Sequence, residues 1–192
     1  MILRILRSPE AARAAFGNRM LLPASKGVMS QVSGQALILG CGLSSSDEKG
    51  RVALPPDLRN AVIANSEDRI VYISKHPEGD ALVGYDAATL QETLARIQKA
   101  DEALAASGDQ DRDFGKRRRN FPRTEPAPFD ASGRFTLSGP MKGRGKLDDL
   151  AFFYGLGDIF EIWNPRDVLA DPNADPELQE EIRWAMTKKG IL

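Results

Sequence analysis

The sequence predicts an α+β protein, mainly β, that is built from two copies of one small unit. Three observations lead to this prediction. A charged turn followed by a short apolar run occurs twice, about eighty residues apart. Short runs of β-branched and aromatic residues follow each copy, which is typical of strands. Two longer segments have the apolar spacing of amphipathic helices.

The repeated turn has the pattern Asp-x-x-Gly-Arg, at residues 47–51 and 130–134. An Asp at the first position of a type I turn bonds the turn backbone, and a Gly at the fourth tolerates the exit angles. The turn-forming residues predicted in this way are Asp47, Gly50, Asp130 and Gly133. Arg51 and Arg134 then begin the next strands, and we expect their guanidinium groups to reach outward.

The same order of elements is predicted after both turns. After each turn the sequence predicts the end of a strand and then a helix entry that contains Pro. An apolar residue followed by a cation comes next, and the two segments are residues 54–59 and 137–142. The next strands are expected to begin with the matched segments 70–73 and 151–154. Each unit therefore runs strand, turn, strand, short helix, strand, hairpin, strand and helix.

Two longer helices complete the predicted elements. Residues 86–107 carry the apolar stripe Leu90, Leu94, Ile97 and Leu104, which we expect to pack against its own repeat. Thr89 and Glu92 have the spacing of a capping box at its start. A last helix is predicted over about 175–188, because Pro176 and acids stand early and two lysines and a glycine stand at its end.

The two units are predicted to interleave their hairpins. One unit of four short strands has too little core to be stable alone. Two units would close a small pseudo-two-fold barrel with flanking helices and pair the exposed strand edges. Both arginine turns would then lie on one face. The aromatic residues expected in the barrel and its helical cover are Phe152, Phe153, Phe160 and Trp163.

The tandem turns, the Leu-Pro-Pro-Asp-Leu-Arg run at 54–59 and the Phe-Glu-Ile-Trp-Asn run at 160–164 resemble the MraZ family. This family comprises bacterial transcription factors of the division and cell-wall gene cluster. The resemblance covers roughly residues 34–169. It implies tandem AbrB-like swapped-hairpin repeats and ring-like homo-oligomers on G-rich direct repeats of promoter DNA. Ser138-Gly139 stands where the family prefers a Pro, which predicts a looser helix entry in the second copy.

The predicted domain organisation has five parts. Residues 1–33 are an N-terminal extension, read as disordered, as a DNA-gripping arm, or as the result of a true start at Met29. The other parts are a first AbrB-like repeat at 34–106, a basic linker at 107–121, a second AbrB-like repeat at 122–170 and an acidic C-terminal helix at 171–192.

Charge is segregated along the chain although the net charge is only −1. A basic block consists of Arg112, Lys116, Arg117, Arg118, Arg119 and Arg123, whereas residues 167–181 hold six acids and no Lys or Arg. Such segregation lets one face attract phosphates. A solvated basic helix end and a DNA-binding segment are equally good readings of the block.

Double-stranded DNA is the partner predicted from these residues. An Arg on a strand-edge turn can donate a bidentate pair to guanine in the major groove, and Arg51 and Arg134 are the base-reading candidates. The candidates for phosphate contacts are Lys49, Arg59, Lys142, Arg117, Arg118 and Arg119. The alternative for the two turn arginines is an ion pair with Asp47 and Asp130 that stiffens the turn, and both roles can coexist.

Catalysis, metal binding and a cofactor are not expected. The chain has one His, His76, and one Cys, Cys41, which excludes a Cys/His zinc cluster within one chain. No nucleophile elbow or P-loop spacing is present. No apolar run approaches the ~18–20 residues that span a bilayer. We therefore predict a regulator that is cytoplasmic and nucleoid-associated, without a membrane partner. A second hypothesis is an oligomeric protein-interaction module that acts through the acidic C-terminal helix.

Overall fold

The chain forms ten short strands and five helices in the residues that the computed structural model describes, which are 31–32, 34–77, 79–106 and 123–192. An N-terminal ladder joins β1 (Gln31–Val32) and β2 (Gln35–Ala36). The first half then contains β3 (Cys41–Ser45), β4 (Arg51–Ala53), α1 (Pro56–Asn65), β5 (Ile70–Lys75), β6 (Leu82–Tyr85) and α2 (Ala87–Ala106). The second half contains β7 (Glu125–Pro128), β8 (Arg134–Thr136), α3 (Gly139–Arg144), β9 (Leu150–Gly155), β10 (Phe160–Trp163) and α4 (Pro165–Ala170), and α5 (Pro176–Lys188) follows it.

The predicted order of elements is therefore found in both halves, and the fold is α+β. The extension predicted at 1–33 lies outside the described residues except for 31–32, and the linker predicted at 107–121 lies wholly outside them. The division into domains stays a prediction.

The centre of the fold is an antiparallel sheet of six strands in the order β3-β9-β10-β6-β5-β7. Strands β4 and β8 form a separate two-stranded ladder. Within the described residues the sheet is open, because β3 and β7 lie at opposite edges, and the prediction of a closed barrel is wrong there. Strand β4 pairs with β8 instead of extending the sheet beside β3, and its Ala53 amide donates to the Ser44 hydroxyl (2.8 Å).

Strands from the two halves are interleaved in the sheet, in the order first, second, second, first, first and second half. Edge strand β3 of the first half pairs with β9 of the second, and edge strand β7 of the second half pairs with β5 of the first. The pairing registers fit the same two-fold relation between the halves. Val52 opposes Phe135 at the centre of the β4–β8 ladder, and Val83 opposes Glu161 at the centre of the β6–β10 ladder. The topology thus has the pseudo-two-fold relation that the repeated sequence predicts.

Aromatic rings fill both sides of the sheet, since neighbouring residues of a strand point to opposite faces. Phe152, Phe153 and Phe160 are fully buried, as predicted. The ring centroid of Phe153 lies 6.3 Å from that of Phe135 and 6.1 Å from that of Phe160. Phe152 belongs to a second cluster, formed with residues of α4 and α5 such as Val168, Leu178, Ile182 and Met186. Trp163 is only partly buried against that cluster.

Side-chain caps begin α2, α3, α4 and α5, whereas α1 begins after Pro55 without one. The Asp175 carboxylate accepts from the amides of residues 177 and 178, which starts α5 where the acids and Pro176 predicted it. The Ser138 hydroxyl accepts from the amide of residue 141, so the second short helix has a capped entry rather than the looser one expected. The predicted capping box of Thr89 and Glu92 is wrong: the Asp86 carboxylate accepts from the Thr89 amide at 2.7 Å and is itself the cap.

The long helix α2 is covered only in part. It contacts β5, but the side chain of Leu94 in its apolar stripe remains 41% exposed. The stripe therefore packs against its own repeat less completely than predicted. Among the described residues, no helix combines the length and the apolar character needed to cross a membrane.

Candidate nucleic-acid interface

The first arginine turn is closed by its aspartate. One Asp47 carboxylate oxygen accepts from the backbone amides of Lys49 and Arg51, both at 2.9 Å. The Asp47 carbonyl accepts from the Gly50 amide at 2.8 Å, and Gly50 has a φ of 71°. A type I turn followed by a left-handed residue is a common three-residue hairpin connection, and glycine adopts that φ without steric cost.

The second turn repeats this arrangement bond for bond. One Asp130 carboxylate oxygen accepts from the amides of Ser132 at 2.8 Å and Arg134 at 3.0 Å. The Asp130 carbonyl accepts from the Gly133 amide at 2.8 Å, and Gly133 has a φ of 80°. The four residues predicted from sequence to form the turns therefore occupy equivalent places in two equivalent turns.

The guanidinium groups of both turns are partly exposed and lie near each other. Arg51 Nε and Nη2 each lie 2.8 Å from Asp47 Oδ2, and Arg51 Nη1 lies 3.8 Å from Asp130 Oδ2. Arg134 Nε donates to Asp130 Oδ2 at 3.0 Å. The side chains of Arg51 and Arg134 are 29% and 45% exposed. The ion pairs considered as an alternative are thus present, and they still leave part of each guanidinium open to solvent.

The two aspartates are held in their ionised form. The Arg51 backbone amide, followed by the Arg51 guanidinium, lowers the pKa of Asp47 below its usual value of 3.8. The Arg134 backbone amide and then its guanidinium lower the pKa of Asp130 in the same way. A hydrogen bond to the charged form of a carboxyl group stabilises that form. Each carboxylate can therefore orient its arginine throughout the neutral pH range.

The strands fix the two turns on one face. Arg51 and Arg134 begin β4 and β8, whose ladder pairs Arg51 with Thr136 and Ala53 with Arg134. The centre of that ladder is anchored by Val52 and Phe135, both buried. The turns are consequently attached to the core by a rigid element, and the contact from Arg51 to Asp130 places them side by side.

Three further cations predicted for this site lie at the same turns. Lys49 is an exposed residue of the first turn. Lys142 Nζ donates to the Gly50 carbonyl at 2.8 Å. Arg59 lies over the second turn, since its Cδ would be 3.1 Å from a β-carbon on Gly133. The predicted residues Arg117, Arg118 and Arg119 lie outside the described residues. Sequence reasoning grouped these cations but did not find that Lys142 and Arg59 contact the turn of the opposite half.

Sequence reasoning also missed a groove on the other side of the sheet. It has a volume of about 760 Å³ and lies between the ends of β9 and β10 and the helices α4 and α5. Its apolar lining includes Tyr154, Trp163 and Leu178, and its acidic lining consists of Asp80, Glu161, Asp167, Asp171, Asp175 and Glu177. The acidic stretch at 167–181 was the available signal, but Tyr154 and Trp163 come from the strands β9 and β10 that precede it.

Metal ligands are not grouped in the described part of the chain. There, no set of three or more His, Cys, Asp or Glu side chains is placed to hold a metal ion. Cys41 is a free thiol whose Sγ lies 3.5 Å from Glu181 Oε2. Burial, and then the Glu181 carboxylate, raise the pKa of this thiol to about 11.

Similar proteins identify the class of this chain. No protein-family model matches it. It is 34% identical over 131 residues to a "Transcriptional regulator MraZ" of Maridesulfovibrio salexigens, a match that covers 64% of this chain and 77% of the relative. Proteins of the same name from Rhodospirillum rubrum and Ruegeria pomeroyi are 28% and 30% identical, covering 68% and 62% of this chain and 81% and 72% of the relatives. The chain is thus a transcriptional regulator. It belongs to the MraZ family.

Proposed function

We propose that the chain is a sequence-specific DNA-binding repressor of the division and cell-wall gene cluster, and that it reads short direct repeats through its two arginine turns. One observation carries this proposal. Two turns with the same hydrogen bonds present Arg51 and Arg134 side by side from one rigid ladder. The interleaved strand order supports tandem AbrB-like swapped-hairpin repeats as the scaffold.

The energy available from two arginines argues for an oligomer. A bidentate arginine–guanine pair discriminates by ~1–3 kcal/mol, so two pairs supply roughly 2–6 kcal/mol. Specific sites usually exceed non-specific DNA by about 4–10 kcal/mol. One subunit is therefore marginal, whereas several subunits on repeated elements gain avidity without any new contact. We propose a homo-oligomer, with a ring as the arrangement that suits direct repeats.

The other cations are assigned to the DNA backbone. Lys49, Arg59 and Lys142 surround the turns and would contact phosphates, and residues 117–119 would extend these contacts. Each phosphate contact would make the slope of log affinity against log salt more negative by about 0.9. Neither a cofactor nor a catalytic step is part of the proposed function, and the proposed location is the cytoplasm at the nucleoid.

A mobility-shift titration tests this function. The protein is titrated against DNA from upstream of its own coding sequence and against the same DNA scrambled, at about 50 and about 200 mM salt. We expect tighter binding to the native DNA, and Arg51→Ala and Arg134→Ala should each reduce the preference by about 5- to 150-fold. Arg183→Ala, an exposed arginine of α5 bonded to Gln179, is the control and should keep the preference. Equal affinity for both DNAs would reject sequence-specific reading.

The acidic groove favours a second candidate, a protein-interaction module. Lys146 also lines the groove and forms its ion pair with Asp80. Among the described residues, the carboxylates Asp167, Asp171, Asp175 and Glu177 form no ion pair with Lys or Arg, and apolar side chains lie beside them. Such a groove suits a partner segment with cationic and apolar side chains. A fluorescent peptide of alternating Lys and Leu should bind, and Asp167→Asn with Glu177→Gln should weaken it. Equal binding of the peptide by wild-type protein and by the double variant would exclude the groove as its binding site.

A further inference from the structure

Two cations occupy equivalent positions in the two halves. Arg59 follows Arg51 by eight residues, and Lys142 follows Arg134 by the same number. Each belongs to the short helix of its own half, α1 or α3. Each nevertheless contacts the turn of the opposite half, because the β4–β8 ladder brings the first turn beside α3 and the second turn beside α1.

The peptide plane between Gly50 and Arg51 is held from two sides. Its N–H, which belongs to Arg51, donates to the Asp47 carboxylate at 2.9 Å. Its carbonyl, which belongs to Gly50, accepts from Lys142 Nζ at 2.8 Å. Because a peptide unit is planar, bonds to both polar groups fix the orientation of the whole plane. That orientation sets the direction in which the Arg51 side chain leaves the backbone.

The corresponding plane of the second turn is held differently. The Arg134 amide donates to Asp130 at 3.0 Å, and the Gly133 carbonyl accepts from the backbone amide of Leu54 at 2.9 Å. The main chain of the first half thus does for Gly133 what the Lys142 side chain does for Gly50. Arg59 contacts the second turn, with its Cδ 3.1 Å and its Nη1 3.5 Å from the β-carbon position on Gly133.

We infer that Lys142 is a positioning residue for Arg51: from the opposite half of the chain, its ammonium group fixes the Gly50 carbonyl and so aims the Arg51 guanidinium. Arg59 has no such role at Arg134, because a backbone amide already holds the Gly133 carbonyl. The inference rests on the proposed function in so far as Arg51 reads bases. The bond between Lys142 and Gly50 and its effect on the turn are independent of DNA.

The test compares Lys142→Met with Arg59→Met, because methionine keeps an unbranched apolar stem and removes the charged donor in both. In the mobility-shift titration, Lys142→Met should reduce the preference for native over scrambled DNA by about tenfold. Arg59→Met should weaken binding to both DNAs alike. It should also make the salt dependence of binding shallower by about one phosphate contact. If Lys142→Met weakens binding to both DNAs alike and keeps the preference, Lys142 acts only as a phosphate contact and the inference is overturned.

A second measurement without DNA separates this inference from the proposed function. Hydrogen–deuterium exchange of a peptide that covers residues 45–52 reports opening of the first turn, whose amides bond to Asp47. Lys142→Met should speed exchange there, whereas Arg59→Met should leave it unchanged. Unchanged exchange in Lys142→Met overturns the inference. If wild-type protein shows no sequence preference but the exchange result holds, the proposed function fails and the positioning of the turn stands.

Discussion

Gly84 lies directly opposite Phe160 in the middle of the six-stranded sheet, where the two halves of the chain meet. A β-carbon on Gly84 would lie between 2.1 and 2.7 Å from three atoms of the Phe160 ring. The ring is fully buried and packs against Phe153, so it has little room to move away. The missing side chain at position 84 therefore makes space for the largest residue of the central ladder.

Gly84→Ala should destabilise the fold by about 1–3 kcal/mol, because the added methyl overpacks a filled core. Urea unfolding followed by fluorescence or circular dichroism measures the change. Gly143→Ala is the matched control, since a β-carbon on this residue of α3 meets nothing within 4 Å and alanine favours a helix. Equal stability of the two variants would contradict the packing described at Phe160.

The two aspartates should differ in their effect on DNA reading. Asp130 lies near both arginines, with Oδ2 3.0 Å from Arg134 Nε and 3.8 Å from Arg51 Nη1, whereas Asp47 forms an ion pair only with Arg51 among the described residues. Asp130→Asn should therefore reduce the preference for native DNA more than Asp47→Asn does. Titration of both variants in parallel, each serving as the control of the other, checks the order. The reverse order would contradict a shared role for Asp130.

The first turn should lose stability in acid. Hydrogen bonds from the Arg51 amide and guanidinium lower the pKa of Asp47 below its usual 3.8, so the folded state binds the proton less well than the unfolded chain. The stabilisation is fully present above the unfolded pKa and disappears as the pH falls through the lower folded pKa. Urea unfolding of wild-type protein and Asp47→Asn at several pH values tests this. The difference between them should shrink below about pH 4, and a difference that grows in acid would contradict it.

Cys41 should react slowly with alkylating reagents. Its pKa of about 11 leaves very little of the nucleophilic thiolate at pH 8. Glu181→Gln removes the carboxylate that lies 3.5 Å from the sulfur, so the pKa should fall and the reaction with iodoacetamide should speed up. Glu180→Gln, on the neighbouring exposed residue, is the control. The rate measured against pH distinguishes a changed pKa from a change in access, which would alter the rate at every pH alike.

Local features of the fold could be predicted from the sequence, and the contacts between halves could not. The turns at Asp47 and Asp130 followed from turn chemistry alone, because every bond in them joins near neighbours. The predicted match of Ile70 with Ala151 was wrong by one residue. Strands β5 and β9 both span six residues, so Ile70 corresponds to Leu150. A shift of one residue reverses the faces of a strand, and short apolar runs do not fix it.

The remaining errors concern strand placement, one contact between the halves and one helix cap. Closure of the sheet depends on where β4 goes after its turn, and β4 pairs with β8 in a ladder separate from the sheet. The contact between Lys142 and Gly50 joins residues 92 positions apart. No periodicity or spacing records such a contact. The capping-box pattern placed the cap at Thr89, three residues beyond the aspartate at position 86 that caps the helix.

The interleaved ladders make this single polypeptide behave like a dimer with its subunits tethered. Four ladders join strands of different halves, so neither half carries a finished sheet of its own. Two fragments, one ending before the linker and one beginning after it, should each be poorly structured and should reassemble when mixed. The covalent connection replaces that bimolecular encounter with a high effective concentration. The two arginine turns therefore stay side by side only while the two halves of the chain remain associated.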